Sequence, residues 1–254
     1  MIREFHTAII GAGSAGLTVA VGLSGFGKSV ALIEKKHIGG DCTNVGCVPS
    51  KTLIHLASHI AEHERSSQEI LEKVRERRDH LRGEETTWIK GVKNVTVFEG
   101  EATFLNGTTL SLKLPTGEQT IAAKNIVIAS GSSPVVVDIP GLPPEKILTN
   151  ESLFDVTQPP KHLVILGGGI IGCEMAFAFR KLGCEVTIVQ RGARLLDRLE
   201  PEVSDLIQKR CDEVGIRVYF NATAKSFDTN TLTLEQQGKP VKIENVDKVL
   251  IALG

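Results

Sequence analysis

The sequence predicts an α/β protein of two tandem domains, each a parallel sheet with helices and a small β-meander. Three observations predict it. A strand, glycine turn, helix, strand unit is written twice; short alternating β-type runs follow each copy; and a proline-rich stretch separates the copies.

In the first copy Thr7-Ala8-Ile9-Ile10 leads into Gly11-Ala12-Gly13-Ser14-Ala15-Gly16, then a helical stretch, then Ser29-Val30-Ala31-Leu32-Ile33-Glu34. Residues 50–82 carry helix formers with apolar residues at helical spacing, predicting one or two helices inserted into this unit. Alternating runs over 95–114, with an Asn106-Gly107 turn, predict strands and a hairpin. A buried strand, Asn125 to Ala129, then meets Ser130-Gly131. Residues 134–160 hold six of the ten prolines, which suits an extended linker, and the domain boundary is placed near Leu148. The domains are thus 1–148 and 149–254. In the second copy Leu163-Val164-Ile165-Leu166 leads into Gly167-Gly168-Gly169-Ile170-Ile171-Gly172, a helix, and Glu185 to Gln190; β-type runs over 216–243 and the strand Lys248 to Leu253, closed by Gly254, complete it. Glu34 and Gln190 each lie 23 positions after the first glycine of their copy, a matched offset that argues for one architecture used twice.

A G-x-G-x-x-G turn between strand and helix lets the backbone turn tightly, approach a pyrophosphate and pack helix on strand, while the helix N-terminus faces the anion. One such motif is a weak signal. Two, in the same context, predict two Rossmann-like dinucleotide-binding domains. Glu34 can accept hydrogen bonds from ribose hydroxyls, which suits FAD or NAD and repels a 2′-phosphate. Gln190 lacks that charge and is followed by Arg191 and Arg194, which favours NADP over NAD at the second site. Arginines there also fit a solvated loop.

Composition narrows the partners. The formal net charge is -1, from 29 basic and 30 acidic residues, which leaves no cationic excess for nucleic acid or an anionic membrane. The apolar runs are strand-sized, short of the about 20 residues that span a bilayer, and no secretory signal is visible, so the expectation is a soluble, cytoplasmic chain. Five cysteines in such a chain argue against a framework of structural disulfides. His55, His59 and His63 recur at a spacing also used by helical metal ligands, but nothing else supplies further ligands, and no metal site is expected. Cys173, Cys184 and Cys211 read as small core residues.

The most informative stretch is Gly39-Gly40-Asp41-Cys42-Thr43-Asn44-Val45-Gly46-Cys47-Val48-Pro49-Ser50-Lys51. Two cysteines with a bend-permitting Gly46 between them could meet as a small, easily reduced disulfide. A helix starting near Pro49, with Lys51, would favour a thiolate at Cys47. With the glycine fingerprint before it, and with Ala129-Ser130-Gly131-Ser132-Ser133-Pro134 and Gly169-Ile170-Ile171-Gly172-Cys173-Glu174 after it, this motif resembles the pyridine nucleotide–disulfide oxidoreductases. Dihydrolipoamide dehydrogenase, mercuric reductase and glutathione reductase are members of that family.

The resemblance implies a FAD domain carrying the redox pair, followed by an NAD(P) domain. Cys47 would be the flavin-side thiol, Cys42 the interchange thiol, and Lys51 would sit by the flavin, paired with Glu174 beside the nicotinamide. Besides the two glycine turns and strand ends, it implies cofactor contacts at Lys35, Gly40, Asp41, Ala102, Ser130, Gly131 and Gly254. Electrons would pass from NAD(P)H to FAD, to the Cys42–Cys47 disulfide, and on to a small-molecule or metal-ion acceptor. Two departures stand out. Asp41 replaces a usual threonine, and Gln190 replaces the glutamate of NAD-using lipoamide enzymes, so a mercuric reductase-like or related NADPH-using reductase fits better.

Family members continue beyond the glycine matching Gly254 with a second FAD segment and a dimerisation domain bearing a His-Glu acid/base pair. The expectation is therefore a fragment of a homodimeric reductase, with weak FAD affinity and an unpaired edge on the first sheet. The alternative is a non-catalytic flavin- or nucleotide-binding module or electron carrier.

Overall fold

The computed structural model describes residues 2–60 and 65–254. They form two compact units, the first comprising the chain up to Val48 with Glu76–Ser132 and the second Pro49–Arg75 with Ser133–Gly254. This differs from a single cut near Leu148, and the core says why. Leu53, Ala57, Ile70, Leu71 and Val74 of the inserted helices are buried in one cluster with Leu163, Ile165, Phe179 and Ile188 of the second copy. The proline-rich stretch also belongs to that unit, where Ile139 and Leu142 are buried beside Val164 and Val249.

In the first unit β1 (Arg3–Ile10), α1 (Ser14–Gly25) and β2 (Val30–Glu34) form the repeated motif. Next come α2 (Gly40–Asn44), the start of α3 (Cys47–Ser58), and the C-terminal part of α4 (Ser67–Gly91). Strands β3 (Val95–Glu99), β4 (Glu101–Phe104), β5 (Thr109–Leu114) and β6 (Gly117–Ile128) complete one six-stranded sheet in the order β3-β2-β1-β6-β5-β4. The meander is fused to the parallel sheet because β6 is long enough to serve both: Ile121 to Ile128 run parallel to β1, and Gly117 to Ala122 pair antiparallel with β5.

Past Ala123, whose N–H still donates to the Thr108 carbonyl at 2.8 Å, β6 has a hydrogen-bonded neighbour only on its β1 side among the described residues. The strand expected to be buried here is instead largely open, with Ile128 68% exposed. The lost neighbour is the physical reason. A strand end flanked on one side cannot be enclosed like β2, whose first four residues are all buried.

The second unit contains β7 (Ile147–Leu148), α5 (Asn150–Leu153), β8 (His162–Leu166), α6 (Ile170–Lys181), β9 (Glu185–Val189), α7 (Pro201–Val214) and β10 (Arg217–Tyr219). A separate antiparallel meander, β11 (Ala222–Asp228), β12 (Thr231–Gln236) and β13 (Lys239–Ile243), precedes β14 (Lys248–Ile251). The parallel sheet runs β10-β9-β8-β14-β7, so the proline-rich stretch supplies an edge strand and a short helix rather than a bare linker. All five residues of β8 are buried, as befits a central parallel strand covered on both faces. Helix α7 begins with Pro201 and ends on Gly215 at φ 73°, the two residues best suited to those ends.

Candidate functional site

The glycine turns are near copies. Gly11 donates its N–H to the Ile33 carbonyl at 2.8 Å, and Gly167 donates to Val189 at 2.9 Å. Gly11 and Gly167 sit at φ +106° and +111°, and a Cβ on either would strike the carbonyl of Ala129 or Ala252. A Cβ on Gly16 or Gly172 would overlap the carbonyl oxygen of Gly11 or Gly167. Both turns therefore need glycine where backbone crosses backbone. Gly13 and Gly169 are extended N-caps with no side-chain capping bond, so the first-turn N–H groups at Ser14-Ala15 and Ile170-Ile171 lie at uncapped, exposed helix starts. Such an end suits a pyrophosphate.

The strand-end residues serve these turns directly. Glu34 accepts from the Ala12 N–H at 2.7 Å and from the Lys36 N–H at 2.8 Å. Gln190, 9% exposed, accepts from the Gly168 N–H at 2.9 Å and donates to the Arg194 carbonyl at 3.1 Å. One oxygen at each position thus ties down the second residue of its turn, while the other end of the side chain meets an N–H in the first unit and a carbonyl in the second. That difference explains why a carboxylate suits one and an amide the other. Arg191 is exposed beside Gln190.

Cys42 lies on α2 and Cys47 opens α3, so the helix starts at Cys47 itself rather than near Pro49. Both cysteines are exposed thiols, not joined in a disulfide. The hydrogen bond between them holds the Cys42 thiol above its ordinary range, with burial and the Glu85 charge acting in the same direction. Thr43 and Asn44, between them, are buried. The Asn44 amide donates to the carbonyls of Ile38 at 3.0 Å and Gly40 at 2.8 Å, closing the short α2 on itself. Gly40, at φ +61°, lies so near Gly13 that a Cβ there would strike its Cα, which brings the cysteine loop onto the first glycine turn within the same unit.

Within the second unit Lys51 of α3 pairs with Glu174 of α6, the partnership expected from the sequence. The rings of His55 and His59 meet at a tilt of 47° with centroids 4.8 Å apart, and His59 Nδ1 bonds the His55 carbonyl at 2.8 Å; His63 lies outside the described residues. Among the described residues no three His, Cys, Asp or Glu side chains gather to hold a metal. The remaining candidates are spread. Lys35 pairs loosely with Glu101 at 3.9 Å, Asp41 is exposed in the first turn of α2, and Ala102 packs against the meander core. Ser130 and Gly131 are exposed after β6, and the Gly254 carbonyl accepts from Val135 N–H at 3.0 Å. Burial raises Cys173 and Cys184 to about 12 and Cys211 to about 11, the mark of inert core thiols.

Sequence reasoning missed Arg82 and Glu85, which bond Asn44 and Thr43 from α4. No local signal announces contacts between positions about forty residues apart. It also missed His162, buried with its ring bonded to Thr187 Oγ1 at 3.0 Å and to the Glu244 carbonyl at 3.1 Å. No helix among the described residues is long and apolar enough to cross a membrane.

Comparison with known proteins gives a consistent picture. A family model described as pyridine nucleotide-disulphide oxidoreductase matches residues 5–254. The chain is 32% identical to dihydrolipoyl dehydrogenase of Geobacillus stearothermophilus, over 99% of this chain and 56% of that protein. It is 34% identical to mercuric reductase of Bacillus cereus, over 99% of this chain and 42% of that protein. A solved Cu(II) complex of the HOCl-induced flavoprotein disulfide reductase RclA from Escherichia coli superposes with a TM-score of 0.89 at 32% identity, covering all of this chain and 57% of RclA. The chain thus spans about half the length of the relatives it matches.

Proposed function

Because the chain belongs to the pyridine nucleotide-disulphide oxidoreductase family, we propose that it is the FAD- and NAD(P)-binding part of a reductase that passes electrons through Cys42 and Cys47. The observation that carries this reading is the exposed thiol pair, in mutual hydrogen bond, on a loop packed against the first glycine turn. FAD would be held by the turn Gly11 to Gly16 and by Glu34, where it supplies the two-electron centre between nicotinamide and disulfide. The second turn, Gly167 to Gly172, would hold the nicotinamide dinucleotide. NADP is favoured there, since Gln190, just after β9, is an amide committed to backbone and Arg191 stands exposed beside it.

In the balanced half-reaction, NAD(P)H and a proton reduce the Cys42–Cys47 disulfide to two thiols, leaving NAD(P)+. Cys42, as the exposed interchange thiol, then attacks the acceptor once deprotonated. Its raised affinity for the proton means exchange accelerates with rising pH. Lys51 and Glu174, paired within the second unit, would orient the nicotinamide ring, each fixing the other's charge. The acceptor is a small disulfide or a metal ion. Similarity to a mercuric reductase and to an RclA solved as a Cu(II) complex puts the metal ion first. A cytoplasmic homodimer goes with this reading.

The test is an anaerobic titration of the chain mixed with FAD by NADPH and, separately, NADH, following the visible spectrum and counting thiols. Flavin bleaching with two new thiols, lost in Cys42→Ser, supports the reading and selects the nucleotide. Bound flavin that neither nucleotide bleaches would support the non-catalytic binding module instead.

A further inference from the structure

We propose that helix α4 clamps the segment between the two cysteines, with Glu85 and Arg82 as positioning residues that keep the Cys42 and Cys47 sulfurs within reach of each other. The proposal rests on the redox reading above but concerns residues which that reading does not use. All the groups involved lie within the first unit.

Four residues separate the cysteines, and the two that are buried carry polar side chains, Thr43 at 3% and Asn44 at 6% exposure. Buried hydroxyl and amide groups need partners. Thr43 Oγ1 donates to the Glu85 carboxylate, at 2.9 Å to one oxygen and 3.1 Å to the other. Asn44 Oδ1 accepts from Arg82 Nε at 2.5 Å, while its amide nitrogen holds the Ile38 and Gly40 carbonyls. Arg82 and Glu85 are three positions apart on one helix and therefore share a face, yet each reaches a different residue of the loop. Gly39 leaves room for this. At φ +96° it has no Cβ, and one placed there would strike both the Glu85 carboxylate and the Thr43 side chain.

The clamp matters because α2 is only five residues long and cannot hold its shape alone. A loose loop would let the sulfurs drift apart and lower the effective concentration at which each meets the other. An intramolecular disulfide is favoured over mixed disulfides in proportion to that concentration. The clamp therefore biases the pair toward the closed, oxidised form, and cutting it makes the disulfide easier to reduce.

The experiment equilibrates the whole chain with glutathione and glutathione disulfide, quenches with acid, alkylates, and counts reduced Cys42 and Cys47 by mass. The equilibrium is protein disulfide plus two glutathione thiols giving protein dithiol plus glutathione disulfide. Glu85→Ala and the near-isosteric Thr43→Val are each expected to shift it toward the dithiol by about tenfold, the size of one charge-assisted hydrogen bond. The double variant should go no further, since both changes cut the same bond. Thr87→Val, which removes a hydroxyl bonded to Gly83 elsewhere on α4, should leave the equilibrium unchanged. Should Glu85→Ala fail to fold, Thr43→Val carries the test.

Equilibria within twofold of wild type in folded Glu85→Ala or Thr43→Val overturn the clamp, as would additive shifts in the double variant. A fall in melting temperature without a shift in the equilibrium assigns both residues a merely structural role, and overturns it too. If the wild-type pair forms no disulfide in any buffer, the redox reading itself fails and takes the clamp with it. A wild type that cycles while its variants match it removes the clamp alone.

Discussion

Gln190→Glu changes one atom of a buried side chain and tests how the second glycine turn is held. The wild-type amide uses both ends, accepting from Gly168 N–H at 2.9 Å and donating to the Arg194 carbonyl at 3.1 Å. A carboxylate keeps the first bond but turns an oxygen on the Arg194 carbonyl, losing one hydrogen bond and leaving two acceptors face to face. With the site 9% exposed, the lost bond and the desolvated charge should together cost about 2–3 kcal/mol at pH 8. Protonation cures the defect, because a carboxylic acid can donate where the amide did. The carboxyl that Q190E introduces therefore has a folded-state pKa above its unfolded value of about 4.3, so the variant's stability relative to wild type is intact at low pH and is lost as pH rises through the folded value. Urea unfolding at pH 5 and pH 8, followed through Tyr219, the one tyrosine and a member of the second unit, measures the difference. A penalty that is absent, or equal at both pH values, would refute the assigned pairing of Gln190 with Gly168 and Arg194.

Other perturbations test neighbouring steps. Gly16→Ala and Gly172→Ala each drive a methyl into the carbonyl of their own turn, and should abolish binding of FAD and of NADPH respectively, each sparing the other ligand in a titration. Leu53→Ala, at a fully buried position shared with second-unit residues, should destabilise by about 2–5 kcal/mol in urea, with the Tyr219 transition moving first. At pH 8 the folded chain should take up alkyl groups only at exposed Cys42 and Cys47, and at all five cysteines in denaturant, as mass counting will show. His162, held below its ordinary value mainly by burial, gains its proton first in the unfolded chain. Stability should therefore fall as pH drops through about 6.5, by an increment missing from His162→Gln in paired urea midpoints.

Strands and glycine turns were legible because their signals are local. A strand announces itself by a run of apolar residues, and a crossing of backbones by a glycine that nothing else can replace, as at Gly11, Gly16, Gly167 and Gly172. The cysteine loop was legible for the same reason, since six consecutive positions carry both thiols and the bend between them. The equal offsets to Glu34 and Gln190 pointed to equivalent roles, but the role found is first of all a backbone tie, which spacing alone does not reveal.

The order of residues was thus enough for the repeated α/β unit, the two turns and the thiol pair. Packing settled which unit each inserted helix joins, because apolar spacing says that Leu53 and Ile70 face a core but not whose. Packing also settled that β6 is shared by two pairings and opens beyond Ala123, because strand partners are chosen by neighbours far along the chain. And it joined Glu85 to Thr43 and Arg82 to Asn44: a buried hydroxyl or amide demands a partner, and only the folded chain determines which charge comes within reach.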